Sequence, residues 1–501
     1  MRLADLLVRC GLAADGAQDL SVTGFAIDHR KVAPGTVFGA FAGERFNGED
    51  FIPAAIEAGA IAIVARPEAR VEGALHIKNA EPRRAFAQLA AGFFSPVPAT
   101  IVAVTGTNGK TSTVEMTRQI WRMAGERAAS IGTLGVTTAD GSISTGLTTP
   151  DIVTFLANMS GLAREGITHV AYEASSHGLS QFRNEGLNVV ASAFTNFSRD
   201  HLDYHGTMEA YFAAKMRLFT EVVAPGSPAV IHVGALGAGD GSEWTAKAIA
   251  QATACGLDLR TVGEGGHFLR LAAREPGQLG QMLTIEHDGN ARKVNLPLIG
   301  AYQAANALVS AGLAMATGVP ASAVFDALSR LQPVRGRLER AAINAAGAPA
   351  YVDYAHTPDA LEAAIAALRP HVADGGRLIV VFGAGGDRDV GKRPEMGEVA
   401  ARAADLAIVT DDNPRSEDPG AIRAAIMAGA AGLREVGDRR AAIAAAIAEA
   451  GANDIVLIAG KGHEQGQIFG SGESMRVEKF DDVEVARECA GAGAGTGSAR
   501  A

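Results

Sequence analysis

The sequence predicts an α/β chain of three domains: a small N-terminal α/β domain, a central P-loop ATPase-like domain on a parallel sheet, and a C-terminal Rossmann-like domain. Three observations carry this. Short apolar runs alternate with helix-spaced patterns along the 501 residues, as in parallel sheets covered by helices. A glycine-rich loop, Gly106 to Thr111, stands between one such run and a helical pattern. Four later runs each end in a polar or glycine-rich string, the edge where open α/β sheets bind ligands.

Residues 1–98 form the expected first domain. Val37 to Phe41 and Ala60 to Val64 read as strands, and Ile52 to Ala58 as a helix between them. Ser95-Pro96-Val97-Pro98 reads as a linker, because two prolines discourage regular structure.

Residues 99–332 are expected to bind a nucleotide. Ile101 to Val104 is a buried-strand run, and Val114, Thr117, Trp121 and Ala124 recur at helical spacing after the loop. Strand, glycine loop and helix N-terminus make an anion site from inward-pointing N–H groups and the helix dipole. Gly106, Thr107, Asn108, Gly109 and Ser112 form this cradle. Lys110 supplies charge to the terminal phosphates, and the Thr111 hydroxyl suits Mg²⁺. The run His169 to Tyr172 ends at Glu173, where a second metal ligand belongs. Val189 to Thr195 leads into Asn196–Gly206, a loop rich in Asn, Asp and His, the composition of metal and phosphate sites. Tyr211, Lys215, Leu218 and Phe219 share one helix face, with Arg217 pointing away. Lys215 thus sits on a buried stripe, where an ammonium must either snorkel to solvent or lose its charge.

Residues 333–490 alternate strand and helix. The runs Ala350–Val352, Leu378–Phe382, Leu406–Thr410 and Ile455–Ala459 end respectively in Asp353–His356, Gly383–Asp389, Asp411–Arg415 and Gly460–Glu464. All four strings are expected on one sheet edge, as a binding site. GGDRD lacks the G-x-G-x-x-G spacing, which excludes a nicotinamide site. Residues 491–501 are low-complexity and expected to be disordered.

Composition narrows the function classes. A formal charge of −10 disfavours non-specific nucleic-acid binding. Cys10, Cys255 and Cys489 are far apart, with neither metal spacing nor a disulfide framework. No apolar run reaches membrane-span length, and MRLADLLVRC lacks a signal-peptide core. A cytoplasmic monomer is expected.

The phosphate loop is short, with only Thr107 and Asn108 between Gly106 and Gly109. TGTNGKTS resembles the signature of the Mur ligase family, which joins amino acids to carboxylates at the expense of ATP and includes the folylpolyglutamate synthases. FAIDHRKVAPGTVFGAFAGERFNGEDFI is similar to the UDP-sugar-binding domain of the diaminopimelate- or lysine-adding members. That implies contacts from Ile27, His29, Glu44, Arg45 and Phe46, with His29 standing where Ser is usual. NFSRDHLDYHG resembles the segment whose histidine, here His201, binds a second Mg²⁺. YFAAKMRLF resembles the one whose lysine, here Lys215, is carbamylated by CO₂. The resemblance thus implies Lys110, Lys215 and His201 as catalytic groups, with Thr111, Glu173, His201 and Lys215 around the metal. It implies Thr148, Thr149, Ser175, Gln181 and Arg183 for the muramoyl peptide.

Asn306, in a string with Gln303 where Asn is usual, Arg337 and Asp353 are implied for ATP. Asp412-Asn413-Pro414-Arg415 resembles the mark of members that add meso-diaminopimelate. With Arg388, Gly460 and Glu464 it would hold that amino acid, Arg415 gripping the distal carboxylate through paired charge-assisted bonds and Glu464 the distal ammonium. The implied activity is an ATP- and Mg²⁺-dependent ligase in peptidoglycan precursor synthesis. It would add meso-diaminopimelate to the D-Glu γ-carboxylate of UDP-MurNAc-L-Ala-D-Glu through an acyl phosphate. A lysine-adding ligase would face Arg415 with no carboxylate. A folylpolyglutamate synthase would lack the first domain and DNPR. A non-catalytic ATP-regulated binding protein would lack Lys110, Glu173 or Lys215.

Overall fold

The chain folds into two units. The first comprises Met1–Ile231, Gly241–Arg260 and Gly312–Val319, and the second His232–Asp240, Thr261–Ala311 and Pro320–Ala501. The computed structural model describes residues 1–14, 16–43, 47–143, 148–234 and 242–492. Glu44, Arg45, Phe46 and the tail beyond residue 492 lie outside the described residues.

The first unit opens with a parallel sheet of β1 (Gly24–Ala26), β2 (Thr36–Gly39), β3 (Ala60–Ala65) and β4 (Leu75–Lys78), in that order. Helix Ile52–Glu57 and its flanking residues cover one face through Phe38, Ile52, Ala55 and Ile63. β2 stops at Gly39, two residues short of the sequence expectation. The reason is steric: the chain turns so that Phe41 packs edge-on against Phe86, 5.5 Å away.

The same unit continues with a larger sheet of β5 (Thr100–Thr105), β6 (Ala128–Gly132), β7 (Gly135–Thr137), β8 (Ser142–Ile143), β9 (His169–Glu173), β10 (Val189–Phe194) and β11 (Pro228–His232). They are ordered β11-β10-β5-β9-β6-β7-β8, parallel from β11 to β6 and antiparallel thereafter. β5 is central, and its residues Ile101 to Val104 are buried. The helix after it, Lys110–Met123, therefore starts at the middle of the sheet edge.

In the second unit, the end of β12 (Asp258–Gly263) from Thr261 onward pairs with β13 (Leu269–Gly277), which forms an antiparallel meander with β14 (Gly280–His287) and β15 (Asn290–Leu296). A further sheet contains β16 (Glu339–Ile343), β17 (Pro349–Asp353), β18 (Leu378–Phe382), β19 (Leu406–Val409), β20 (Arg434–Glu435) and β21 (Ile455–Ala459). Its order is β16-β17-β21-β18-β19-β20, with only β16 antiparallel. Both faces are covered, so alternate residues enter different cores. Leu378, Val380 and Phe382 pack with helices Pro358–Leu368 and Lys392–Ala403, whereas Ile379 and Val381 pack with helices Arg439–Glu449 and Asp482–Ala492. This explains the unbroken apolar strand runs. The return of β21 to a place between β17 and β18 makes a topological switch point, where such sheets open a crevice. A hairpin, β22 (Gly466–Phe469) and β23 (Arg476–Lys479), follows β21.

Candidate active site

In the first unit the phosphate loop wraps the end of β5. Gly106 has φ 140°, and a Cβ there would lie 2.0 Å from Thr195 Oγ1, so only glycine fits. The loop N–H groups do not all point inward as expected. Those of Thr107 and Asn108 donate to Asn196 O and Oδ1, both at 2.9 Å, because the β10 end packs directly under the loop. Lys110 curls back, its Nζ donating to Gly106 O at 3.0 Å and Thr107 O at 2.8 Å. Thr111 and Ser112 are buried at the helix start.

Lys215 confirms the geometric half of its reading: it is 1 % exposed. Its helix, Met208–Arg217, passes into a π-helical turn at Leu218–Val222, which keeps Leu218 and Phe219 buried beyond it. Arg217 does point away, yet not to open solvent: it pairs with Glu221 and lies over the Phe182 ring. Lys215 Nζ donates to Gly106 O at 2.6 Å and sits 4.5 Å from the Tyr211 ring centre. Burial, and then the nearby Lys110 charge, push its amine well below the ordinary lysine range, against the pull of Asp200.

Glu173 is buried at the end of β9, with Oε1 accepting from the Thr133 N–H at 2.7 Å and Oε2 engaged at 3.4 Å by the Thr133 hydroxyl. A Cβ on Gly132 would fall 2.1 Å from that Oε1, so the strand leaves room for the carboxylate. His201 is half-exposed beside Asp200 and takes a left-handed backbone, φ 50°. Its ring meets His177 at 4.8 Å, and His177 in turn meets Tyr204 and His205. Burial, then the neighbouring histidines, push His205 down to about 4. Among the described residues no three His, Cys, Asp or Glu side chains gather as a ready cation cage. Oxygen donors at Thr111 and Glu173 fit a hard cation that draws its remaining ligands from phosphate and water, the habit of Mg²⁺.

The residues expected at the muramoyl peptide come together. Thr149 Oγ1 donates to Glu173 O at 2.9 Å and lies 2.9 Å from Ser175 Oγ. Arg183 donates to Thr149 O at 2.8 Å and Gln181 Oε1 at 2.7 Å, and Gln181 donates to the Tyr204 hydroxyl at 3.1 Å. Thr148 Oγ1 is 3.1 Å from Thr133 Oγ1. Ile27 is exposed, and His29 stacks on Phe51 with ring centres 4.5 Å apart.

The second unit gathers two sets. At β17, Asp353 accepts from the Leu338 and Ala355 N–H groups at 2.8 and 3.0 Å. Gln303 Nε2 donates to Arg337 O at 2.8 Å, Asn306 Nδ2 reaches Gln303 Oε1 at 3.4 Å, and the Arg337 guanidinium lies 5.1 Å from the Tyr354 ring centre. At β19 and β21, Asn413 Nδ2 donates to Glu464 Oε2 at 2.8 Å, and Arg415 Nη1 to Gly386 O at 2.9 Å. Gly460, φ 122°, lets its backbone pass where a Cβ would lie 2.5 Å from Asp412 Oδ2. Pro414 is buried, whereas Arg388 is exposed on the Gly383–Asp389 loop. Sequence reasoning missed Lys461, which is fully buried between Asp412 and Glu464. Its only signal is its place inside a strand-end string already flagged.

Three family models cover most of the chain: the Mur ligase family catalytic domain over residues 21–94, the middle domain over 104–314 and the glutamate ligase domain over 336–462. The chain is 59 % identical to the UDP-N-acetylmuramoyl-L-alanyl-D-glutamate–2,6-diaminopimelate ligase of Zymomonas mobilis, over 94 % of this chain and 95 % of that one. It is 52 % identical to the protein of the same name in Bradyrhizobium diazoefficiens, over 97 % and 98 %. A solved structure of a ligase of that name matches with TM-score 0.71 and 33 % identity, over 95 % of this chain and 96 % of that one. With its phosphate loop, parallel sheets and strand-end strings in place, this chain belongs to the Mur ligase family.

Proposed function

We propose that this chain is an ATP-dependent amide ligase that adds meso-diaminopimelate to the D-Glu γ-carboxylate of UDP-MurNAc-L-Ala-D-Glu. The observation that carries the reading is the Asp412–Arg415 loop. It carries a guanidinium and an amide donor, and that amide meets the Glu464 carboxylate from the end of β21, in a chain close to ligases named for that substrate.

In the first step a γ-carboxylate oxygen attacks the γ-phosphorus of ATP and ADP leaves, giving an acyl phosphate. Lys110 exchanges its two loop carbonyls for phosphate oxygens, and the helix that it begins adds partial positive charge. Thr111 and Glu173, together with His201 and Lys215, would hold Mg²⁺, which would supply charge neutralisation. In the second step the deprotonated diaminopimelate amine attacks the acyl carbon and phosphate departs. Arg415 holds the distal carboxylate and Glu464 the distal ammonium, with Arg388, Asp412, Asn413, Pro414 and Gly460 around them. Thr148, Thr149, Ser175, Gln181 and Arg183 hold the muramoyl peptide, and Ile27, His29 and residues 44–46 the uridine end. Asn306, Arg337 and Asp353 serve the nucleotide. Lys215 carries a carbamate: its neutral Nζ attacks the carbon of CO₂, an N–C bond forms as one C=O π pair moves onto oxygen, and the amine proton passes to water. The depressed basicity of that amine supports this step. The reading takes the chain as a cytoplasmic monomer.

The test is phosphate release with ATP, Mg²⁺ and UDP-MurNAc-L-Ala-D-Glu, given either meso-diaminopimelate or L-lysine. Turnover with diaminopimelate alone is expected. Equal turnover with lysine would discard the Arg415 argument, and silence with both would refute the reading.

A further inference from the structure

The Asp412–Arg415 loop is held from behind by groups with no role in the scheme above. Lys461 is a fully buried cation. Its Nζ donates to Asn413 Oδ1 at 2.8 Å and lies 3.7 Å from Asp412 Oδ1 and 3.6 Å from Glu464 Oε2. The Ile468 N–H donates to the same Asn413 Oδ1 at 3.0 Å. An ammonium and an amide N–H can only donate, so together they fix which end of the Asn413 amide is oxygen. That turns Nδ2 toward Glu464.

The hairpin strand β22 completes the clamp. Gln467 Nε2 donates to Asp412 O at 2.6 Å. The Arg415 N–H donates to Ile468 O at 3.0 Å, and the Gly470 N–H to Arg415 O at 2.7 Å. Arg415 has φ 50°, a left-handed conformation that is strained for a non-glycine residue. These two backbone bonds bracket it and hold it there. A buried ammonium is also costly where an apolar side chain of the same length would pack. Both costs fall where Lys461 and β22 meet the Asp412–Arg415 loop.

We propose that Lys461, acting with β22, is a positioning residue. It fixes the Asn413 amide and the Arg415 backbone, and so sets both affinity for the distal end of the amino acid and its discrimination from lysine. The proposal rests on the amino-acid role given to this loop above.

The test uses full-length Lys461→Met and Gln467→Ala proteins. In each, KM for meso-diaminopimelate is expected to rise about tenfold or more while kcat at saturation changes little, and the preference over lysine to shrink. Acyl phosphate trapped with borohydride in the absence of amino acid is expected at the wild-type level. Hydrogen exchange at the Arg415 and Gly470 amides is expected to quicken about tenfold, with β18 and β21 unchanged. An unchanged KM, a fall confined to kcat, or unchanged exchange at Arg415 would overturn the proposal. If Lys461→Met does not fold, Gln467→Ala, which removes one bond, decides by the same readouts. Absence of diaminopimelate-dependent turnover in the wild type would refute the function reading instead, and the Arg415 exchange rate would still decide whether Lys461 holds the loop.

Discussion

Arg415 and Lys215 show what single side chains are asked to do here. A guanidinium facing a carboxylate contributes two charge-assisted bonds. Arg415→Ala is therefore expected to lower kcat/KM for diaminopimelate by about 100-fold or more, with acyl-phosphate formation retained. Loss of ATP turnover with the muramoyl dipeptide would show that the assigned role is wrong. Lys215→Ala is expected to be inactive and partly rescued by a short-chain carboxylate such as acetate, read as phosphate release; no rescue would count against the carbamate. Lys215 was legible because helical spacing alone places it on an apolar stripe, and its neighbours are local. Lys461 was not: its partners Asp412 and Asn413 lie on the end of another strand, and no local pattern reports a contact between strand ends.

At the scale of elements, β2, β3, β5, β9, β10, β17, β18, β19 and β21 were legible as apolar runs, whereas β1, β4, β6, β11 and β20 were not, and the strand-end strings followed from topology. Antiparallel β13–β15 escape a search for helix-flanked strands, although Leu269, Leu271, Leu283 and Ile285 alternate inward. The hairpin was hidden for a different reason: β23 is exposed along its whole length, so no hydrophobic alternation marks it. The phosphate loop is tightly constrained. Gly106→Ala would drive a methyl into Thr195 and impose a left-handed strain. It is expected to weaken ATP binding by about tenfold or more, measured by titration calorimetry. Wild-type affinity would show that the loop relaxes freely.

At the scale of the whole chain, buried neutral histidines set its tolerance of acid. Burial pushes His232 down to about 4. His371 is lowered too by burial, and its ring links Gly300 N–H to Gly277 O at 3.0 and 2.7 Å. A folded-state value below the unfolded one means that the unfolded chain binds more protons in between, so stability falls as pH drops below about 6.5. His232 alone is expected to cost about 2 kcal/mol at pH 5 relative to pH 8, read from urea midpoints. His232→Phe should flatten that slope, and an unchanged slope would place the acid sensitivity elsewhere.

The carbonyl of Gly106 that receives both Lys110 and Lys215 bears on inhibitor discovery. Gly106 O and Thr107 O satisfy both lysine side chains from within the loop, so a neutral fragment must displace those contacts and return nothing for them. Screening libraries weighted toward compact anions, such as acyl sulfonamides and tetrazoles, should give hits in this loop where neutral heteroaromatics do not.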